Sequence, residues 1–600
     1  GQKPKRKILG KTSPDKVQMR QAVADATETV RATLEDVPLQ RLKGMRGREK
    51  EEWLQAAQTE IEGIESLDGW ERVTTAEFAR RQQQFMQTGG HVEILPAKVV
   101  AGIKGDGRKK VRLVICGNHS HREAGGDMST WEVASTTLRL QLRIAGFNSW
   151  QVGSTDIASA FLHASLEGDV MYAIRPPQVM KDWGLFAETT ILVIKRALYG
   201  LRESPKQWEK HRDEVMTSSV IETDIGQVHL VQSSSDLAFW SIELVDLSAA
   251  ACERAQDWSS EQHRRLHPSV STSLTKTPIS CEDLASRGIV GFVSTHVDDV
   301  LVTAFDGVCS PVLRALDKAW KQDKMKVLGH DVGKEFTHLG LQIRRTRDGG
   351  LHVYQGKYSQ QLVSEWGLSG CNTVSTPMTE DGEPVPESGE GAAMLEDQPS
   401  ADDVQQAQRA TGGFLWLSTK TPVDIAFVVS RLAQFATRAP LWVLEKAKRV
   451  MRYLSGTITM GLHYRARDAP DDVQSSCCTH HDAGVLHCYS DMGHAATGNK
   501  SHQCSIISMG AAPVSWRSGR QTITSMSTAE GELLAGCACF QLYLSVDSGL
   551  KELGVQLRGV LGVDSTAAEA IFKNSPANWR TRHLRIRASA VSTSDLEVLH

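Results

Sequence analysis

Helical and strand-like patterns alternate along the first part of this chain. Apolar residues at helical spacing predict an amphipathic helix over residues 51–87, with Gly69 as a stop: Trp53, Ile61, Ile64 and Leu67. β-type runs follow at 92–103 and 111–115, separated by a basic, glycine-rich turn at 104–110. Two strands with a basic tip predict a phosphate-contacting finger, although a solvated hairpin turn has the same pattern.

Two apolar segments carry acids where a strand is predicted to end. Asp156 precedes a predicted helix over Ala158–Leu166, and Asp298–Asp299 lies where one apolar strand turns into another. Carboxylates in apolar surroundings are costly unless a cation lies against them. Side by side, these three acids could hold two Mg²⁺ ions about 3.5–4 Å apart, which indicates phosphoryl chemistry. Each motif is weak alone, because Asp156 could be a helix N-cap and the acidic pair a plain hairpin turn.

A second group of acids lies in a C-terminal α/β pattern. The predicted elements are, in order, a strand ending at Asp491, strands at Cys504–Met509 and Val514–Trp516, a helix from about Thr528 with Glu530 and Glu532, and the strand Gly559–Val563 before Asp564. Carboxylates on strand, helix and strand can converge on one pair of Mg²⁺ ions, as hydrolysis of an RNA strand requires. Any one of them could equally be a surface acid.

Length and composition place these patterns in a multidomain protein. At 600 residues the chain exceeds one hydrophobic core, so about two to four domains are expected. A net charge of −3 gives no overall nucleic-acid signal, and any basic surface must be local. The 11 cysteines form no CxxC pair, which favours a reduced intracellular setting. No signal peptide and no apolar run long enough to cross a membrane is evident, so no membrane partner is expected.

Local composition suggests further boundaries. Residues 1–50 form a basic tail, either poorly ordered or a remnant of an upstream region, and residues 236–288 have the composition of an inserted loop or lobe. Residues 379–403 are an acidic linker. Residues 404–475 are predicted to form a helical connection region, and residues 480–600 the final α/β domain. Basic residues at Arg431 and Lys446–Arg452 give the connection region a positive helix face.

Several motifs occur in a fixed order along the chain. They are Asp156-Ile-Ala-Ser-Ala-Phe-Leu, Lys195-Arg-Ala-Leu198-Tyr199-Gly200-Leu201-Arg202-Glu203-Ser204-Pro205-Lys206-Gln207-Trp208, His296-Val-Asp-Asp299, Phe336-Thr-His-Leu339-Gly340, Val374-Ser-Thr-Pro377-Met, Pro422-Val-Asp424-Ile-Ala and Arg452-Tyr453-Leu454-Ser-Gly456-Thr. In these motifs, from about residue 51 to residue 584, the chain resembles the Pol polyproteins of copia-type LTR retrotransposons. The first is similar to that family's first palm motif, and the others to its LYGLKQSPRQW, YVDD, FLG, VSTPM, RPDIA and RYLKGT segments.

The C-terminal motifs resemble the RNase H domain of the same elements. They are Tyr489-Ser-Asp491, Val514-Ser-Trp516-Arg-Ser, Ser527-Thr-Ala-Glu-Gly-Glu532, Val563-Asp564-Ser-Thr-Ala and Arg580-Thr-Arg582-His583-Leu584. The resemblance implies that Asp491, Glu532 and Asp564 hold metal. It also implies the fold: a right-hand polymerase of fingers, palm and thumb in residues 51–378, followed by the connection region and an RNase H-like α/β domain.

The resemblance implies roles for the polymerase residues as well. Asp156, Asp298 and Asp299 become the catalytic metal ligands. Phe161 becomes the ring that packs against the sugar and excludes a 2′-hydroxyl. Substrate-contacting positions of the fingers fall on Lys110, Arg112, Tyr199 and Gly200, and the primer grip falls on Leu339 and Gly340.

The chain also departs from the family pattern. His296 replaces a Tyr, and Glu203 replaces a Gln where an acid would repel phosphate. Arg585 replaces the fourth RNase H acid. An arginine neither binds metal nor tolerates a nearby dication. Either Asp595 or Glu597 substitutes for that acid, or nuclease activity is impaired.

The predicted function is therefore RNA-directed DNA polymerase with an attached, impaired RNase H domain. The expected cofactor is Mg²⁺, in pairs at each site, or Mn²⁺. The expected partners are an RNA template, a DNA or tRNA primer, dNTPs and the RNA–DNA hybrid product, inside the cell. The alternative is a decayed or co-opted relic that binds RNA or hybrid without catalysis. His296, Glu203 and Arg585 favour that alternative, and the retained palm acids argue against it.

Overall fold

The computed structural model describes residues 34–104, 107–120, 130–166, 168–266, 277–320, 325–379, 399–467, 484–494, 500–573 and 582–599. They belong to two units. The first comprises Gly1–Glu132, Ile157–Ser218 and Lys318–Asp323, and the second comprises Val133–Asp156, Ser219–Asp317 and Lys324–His600. In both units helices pack on β-sheets, which confirms the predicted mixed α/β, multidomain class.

The helices and strands are numbered in chain order. The helices are α1 (Leu39–Gly44), α2 (Gly47–Ser66), α3 (Thr75–Gln87), α4 (Ser135–Phe147), α5 (Gln178–Asp182), α6 (Ser204–Ser218), α7 (Ala249–Leu266), α8 (Cys281–Ser286), α9 (Cys309–Ala319), α10 (Gly356–Glu365), α11 (Ala401–Ser418), α12 (Ala426–Phe435), α13 (Pro440–Gly456), α14 (Thr528–Glu552), α15 (Thr566–Phe572) and α16 (Arg582–Ser592). The strands are β1 (Leu34–Asp36), β2 (Trp70–Thr74), β3 (His91–Lys104), β4 (Lys109–Ile115), β5 (Gln151–Asp156), β6 (Val170–Arg175), β7 (Thr190–Ile194), β8 (Val220–Thr223), β9 (Gly226–Gln232), β10 (Phe239–Leu244), β11 (Ile289–His296), β12 (Asp299–Ala304), β13 (Lys326–Leu328), β14 (Glu335–His338), β15 (Leu341–Arg345), β16 (Leu351–Tyr354), β17 (Gly461–Tyr464), β18 (Val485–Gly493), β19 (His502–Met509), β20 (Ala512–Arg520), β21 (Arg558–Gly562) and β22 (Glu597–Leu599).

The first unit contains a six-stranded sheet in which β4 pairs antiparallel with β3, as the predicted basic finger requires. Helix α2 buries Trp53, Ile61 and Ile64 as predicted. The single helix predicted over 51–87 is wrong, because α2 ends at Ser66 and strand β2 separates it from α3. Strand β2 pairs with β7, a partner more than a hundred residues away that local periodicity cannot reveal.

The basic tail is shorter than predicted. Residues 1–33 lie outside the described residues, whereas the following segment contains β1, α1 and the start of α2. Strand β1 pairs with β3, with Leu34 opposite Lys104, so residues 34–50 belong to the folded unit.

A seven-stranded sheet forms the palm in the second unit, in the order β13-β5-β12-β11-β10-β9-β8. Strand β10 lies inside the segment predicted as an insertion, so that prediction is wrong for Phe239–Leu244. Trp240 and Ile242 are fully buried between the partner strands β9 and β11. The predicted insertion is therefore limited to α7, α8 and the residues next to them.

The segment after Asp156 also differs from its prediction. Instead of a helix over Ala158–Leu166, the chain forms a short 3-10 turn at Ala160–His163. Ser159 precedes this turn with a φ of +54°, a left-handed conformation that cannot begin an α-helix.

The connection region is mostly helical, with α11, α12 and α13, but it also contains β17, which pairs with β16. Two of its basic side chains donate hydrogen bonds to residues 372–376. Arg449 donates to Thr376 Oγ1 at 2.8 Å, and Arg452 donates to the carbonyl of Asn372 at 2.7 Å. At these two positions the positive face of α13 binds protein.

The C-terminal sheet has the order β20-β19-β18-β21-β22. Its first three strands are antiparallel, and β21 and β22 are parallel to β18, as in RNase H-like folds. Helix α14 packs against β18 and β19. Among the described residues, α14 alone has the length and apolarity of a membrane span, but half of that stretch is buried inside this domain, as in the core helix of a soluble protein.

Helix α4 joins the palm to the C-terminal sheet within the second unit. All residues from Leu138 to Phe147 are buried, and the helix packs against β12, β16, β17 and β20. Arg139 donates to the carbonyl of Val514 at 2.7 Å and to that of Thr419 at 2.7 Å, and its guanidinium lies 4.0 Å from the Trp516 ring centroid.

Arg143 makes the second connection, donating to the carbonyls of Met509 at 3.2 Å and Arg465 at 3.1 Å. Burial lowers the pKa of Arg139 and of Arg143 to about 10, so both remain charged at neutral pH. Backbone carbonyls of the C-terminal sheet and its flanking segments therefore solvate two charges that belong to a palm helix.

Replacing Arg139 by Met is expected to lower the free energy of unfolding by about 2–4 kcal/mol, because two carbonyls lose a charged donor. Denaturant unfolding of the full chain measures this change. Arg517→Met, at an exposed position on β20, serves as the control and should change stability by less than about 0.5 kcal/mol. Equal stability of the two variants would contradict the anchoring role of Arg139.

Candidate active sites

The palm acids meet at one end of the seven-stranded sheet. Asp156 is the last residue of β5 and lies directly opposite Asp299, the first residue of β12. Val297 and Asp298 form the two-residue loop between β11 and β12. Val297 has a φ of +56°, an uncommon and strained conformation for a β-branched residue. This hairpin holds Asp298 and Asp299 beside Asp156.

The electrostatics of this group favour a bound cation. Burial, followed by the negative charges of Asp298 and Asp156, raises the pKa of Asp299 to about 7 against the opposing effects of His296 and Lys326. Carboxylate oxygens are the preferred ligands of Mg²⁺. The carboxylates present thus fit divalent ions by residue type, although the ligand atoms of the three acids do not all lie within 4.8 Å of one another.

The first unit brings together three predicted substrate-contacting residues. The guanidinium of Arg112 lies 4.4 Å from the ring centroid of Tyr199, and the ring of Phe161 packs edge-on against Tyr199 at 5.2 Å. Phe161 is mostly buried.

Helix α2 places acids against the basic finger, which the sequence pattern did not reveal. Burial raises the pKa of Glu60, against the charges of Arg112 and Lys110 and a hydrogen bond from the backbone N–H of Leu113. Glu52 forms an ion pair of 2.9 Å with Lys109. The positive charge of β4 is therefore partly compensated within the unit.

Gly200 has a structural reason to be glycine. Its φ is +92°, and an added Cβ would lie 1.9 Å from the carbonyl oxygen of Ile115. Two backbone hydrogen bonds cross the same contact. The N–H of Ile115 donates to the Tyr199 carbonyl at 2.8 Å, and the N–H of Gly117 donates to the Gly200 carbonyl at 3.1 Å. Gly200 thus locks β4 to the segment that carries Tyr199.

Glu203 has a protein partner. Tyr172, on β6, donates its hydroxyl to Glu203 Oε1 at 2.7 Å. An acid at this position therefore accepts a hydrogen bond inside the first unit, which accounts for a residue that the sequence marked as unfavourable near phosphate.

The predicted primer grip is a two-residue hairpin turn between β14 and β15. Leu339 has a φ of +47° and Gly340 a φ of +75°, the pattern of a type I′ turn. Leucine is unusual at the first position, because its Cβ disfavours positive φ. The turn is held in a strained conformation next to His338, which is buried.

The three RNase H-like acids converge. Ligand atoms of Asp491, Glu532 and Asp564 all lie within 4.8 Å of one another, and among the described residues no other such group of three or more metal-ligand side chains occurs. Burial, followed by the charges of Asp564 and Asp491, raises the pKa of Glu532 to about 7. Strand, helix and strand deliver these acids as predicted.

The neighbouring acids have other roles. Glu530 accepts the backbone N–H of Met526 at 2.8 Å at the start of α14. Glu597 pairs with Arg558, across β22 and β21, and Asp595 interacts with Tyr543 and Lys551. Neither Asp595 nor Glu597 belongs to the group of three metal-ligand side chains. Arg585 lies on helix α16, with its side chain outside the described residues.

Three of the matching motifs have structural roles. Asp424 accepts the hydroxyl of Tyr453, joining the Pro422–Ala426 and Arg452–Thr457 segments. Trp516 donates its indole N–H to the carbonyl of Ser418 at 2.7 Å. Sequence reasoning singled out these motifs without a role, because their partners lie far along the chain.

Comparisons with known proteins find similarity over most of the chain. Residues 92–230 match the family described as reverse transcriptase (RNA-dependent DNA polymerase), a range that includes Asp156. The retrovirus-related Pol polyprotein from transposon RE1 of Arabidopsis thaliana is 25% identical over 508 residues, which cover 82% of this chain and 28% of that protein. The corresponding polyprotein from transposon TNT 1-94 of Nicotiana tabacum is 23% identical over 550 residues, 90% of this chain and 34% of that protein.

A solved structure of a foamy viral protease-reverse transcriptase in complex with double-stranded DNA has a TM-score of 0.46 and 11% identity, covering 100% of this chain and 83% of that one. The chain spans about three tenths of the length of the curated relatives.

The structure thus has one group of carboxylates at the end of the seven-stranded sheet and a second on the C-terminal sheet. Residues 92–230 are similar to the reverse transcriptase family, and most of the chain is similar to Pol polyproteins of copia-type transposons.

Asp299→Asn is expected to stabilise the metal-free protein at pH 8. A carboxyl whose folded pKa lies near 7 binds more protons in the folded state, so its destabilising effect grows as pH rises from about 4 to 7 and is complete above that range. Thermal unfolding in EDTA should show a higher midpoint for the variant at pH 8 and almost none of this difference at pH 4.5. Mg²⁺ should raise the midpoint of the wild type alone. A lower midpoint for the variant at pH 8 would contradict the repulsion.

Proposed function

We propose that this chain is an RNA-directed DNA polymerase of a copia-type retrotransposon with an attached RNase H-like domain. The observation that carries the proposal is the hairpin pairing of Asp299 with Asp156, in a chain whose residues 92–230 match the reverse transcriptase family. Its partners are an RNA template, a DNA or tRNA primer, dNTPs and the RNA–DNA hybrid, inside the cell.

Asp156, Asp298 and Asp299 would hold the divalent cations, Mg²⁺ or Mn²⁺. When bound, such ions stabilise the charge of the attacking and leaving oxygens in phosphoryl transfer. The chain's own groups position the reactants. Lys110 and Arg112 bind the triphosphate, Phe161 packs against the sugar, and the Leu339–Gly340 turn holds the primer end.

The strain at Val297 serves this arrangement. A two-residue loop leaves β11 and β12 in tight register, and it fixes Asp298 and Asp299 on adjacent positions at the sheet end. A longer or relaxed loop would let the two carboxylates separate, as their repulsion favours. The fold therefore concentrates negative charge before any cation binds.

Primer extension on an RNA template tests the polymerase directly. The wild type should extend a DNA primer in Mg²⁺, and Asp298→Asn should lower the rate by about a thousandfold or more, because several kcal/mol of charge stabilisation are lost. The matched control is Asp246→Asn, at an exposed acid after β10, which should extend at the wild-type rate. Tight template–primer binding without extension by the wild type would instead support a catalytically inactive relic.

Cleavage of RNA in an RNA–DNA hybrid is expected to be weak or absent, because three acids converge where the resemblance implies four and Arg585 replaces the last. Arg585→Asp should increase cleavage, measured on labelled RNA in Mg²⁺ and in Mn²⁺. Arg587→Asp, the same change two residues along α16, is the control and should not. Clear wild-type cleavage that is lost in Asp491→Asn would refute the impairment.

A further inference from the structure

A buried histidine connects the primer-grip turn to the strand that carries Asp156. His338 is the last residue of β14, directly before Leu339, and is 3% exposed. Its Nδ1 lies 2.9 Å from the Oγ of Ser154, which is 4% exposed. Ser154 lies two residues before Asp156 on β5, and alternate residues of a strand face the same side. The hydrogen bond therefore ends close to the catalytic end of β5.

Two side-chain hydrogen bonds join β14 and β15 to β5 and the residue before it. At the far end of β15, Arg345 donates to the carbonyl of Trp150, immediately before β5, at 2.5 Å. At the turn end, the attachment is the hydrogen bond of His338 to Ser154. Arg345 fixes the position of the end of β15. His338 fixes how near the Leu339–Gly340 turn lies to Asp156.

The surroundings keep His338 neutral. Burial, followed by the charges of His296, Lys326 and Lys420, lowers the pKa of His338 to about 3. The neutral ring keeps one nitrogen as donor and one as acceptor, and the Ser154 hydroxyl can serve either. The bond is therefore the same throughout the pH range in which the protein works.

We propose that His338 is a positioning residue for primer extension: its hydrogen bond to Ser154 sets the distance between the Leu339–Gly340 turn and Asp156. The inference rests on the proposed polymerase function. Leu339 at positive φ stores strain that the turn releases if its anchor is lost. A shift of about 1 Å in a bound reactant can cost about a hundredfold in rate.

Two variants remove the bond from opposite sides. His338→Phe keeps a ring of similar size without Nδ1, and Ser154→Ala removes the hydroxyl. Each is expected to lower kcat for primer extension by about 10- to 100-fold, with KM for dNTP changed by less than about threefold, because Lys110 and Arg112 bind the triphosphate elsewhere. The double variant should be no slower than the slower single one, since both changes remove the same bond.

Two further variants complete the series. His338→Asn places an amide near the position of Nδ1 and should recover most of kcat. His229→Phe changes a half-buried histidine on β9 of the seven-stranded sheet, which also contains Ser154, and serves as the control, with kcat unchanged. If His338→Phe and Ser154→Ala lower the thermal midpoint but leave kcat unchanged, His338 is only structural and the proposal is overturned.

A readout that needs no polymerisation separates this proposal from the proposed function. Fe²⁺ at the palm carboxylates, with ascorbate and peroxide, cuts bound primer near the ion. The wild type should give one narrow group of cuts, and His338→Phe should spread the cuts over neighbouring nucleotides. Spreading in a protein that does not extend primers would reject polymerase activity and retain the positioning role. Identical cuts in both proteins would overturn the positioning role whether or not the wild type extends.

Discussion

Two buried arginine charges on helix α4 are the constraint on which the second unit depends. Arg139 and Arg143 donate to backbone carbonyls on β19 and β20 and directly after α11 and β17. A buried guanidinium is tolerated only where such donors and acceptors match, so the C-terminal sheet must be in place for α4 to be stable. Since α4 also packs on β12, the palm hairpin that carries Asp299 is built on the same support.

In both candidate sites, by contrast, like charges are held close together against their mutual repulsion. Besides burial, the charges of Asp298 and Asp156 raise the pKa of Asp299 at one sheet end, and the charges of Asp564 and Asp491 raise the pKa of Glu532 on the other sheet. Strand pairing and a strained loop hold the first group, and a strand–helix–strand arrangement holds the second. In both cases the backbone keeps the carboxylates from separating. A bound divalent cation would relieve their repulsion.

The matching motifs divide into residues that carry chemistry and residues that carry structure. Acids at strand ends could be identified from the sequence because carboxylates in apolar segments are rare without a cation. Trp516, Asp424 and Tyr453 gave no chemical signal, since their roles depend on single hydrogen bonds to distant segments. The hydrogen bond between Ser154 and His338 belongs to the same group: neither residue is unusual in its own segment.

The sequence by itself predicted the mixed α/β, multidomain class, the β3–β4 hairpin and the two groups of acids at strand ends, because local periodicity and short motifs encode these. Only the tertiary structure decided that β2 interrupts the predicted helix, that β10 belongs to the palm, and that Asp595 and Glu597 lie away from the three converging acids. It also decided that Glu203 binds Tyr172 and that Glu60 faces the basic strand. Each of these depends on pairing between segments far apart in the chain, and such pairing is set by packing and burial rather than by the local pattern.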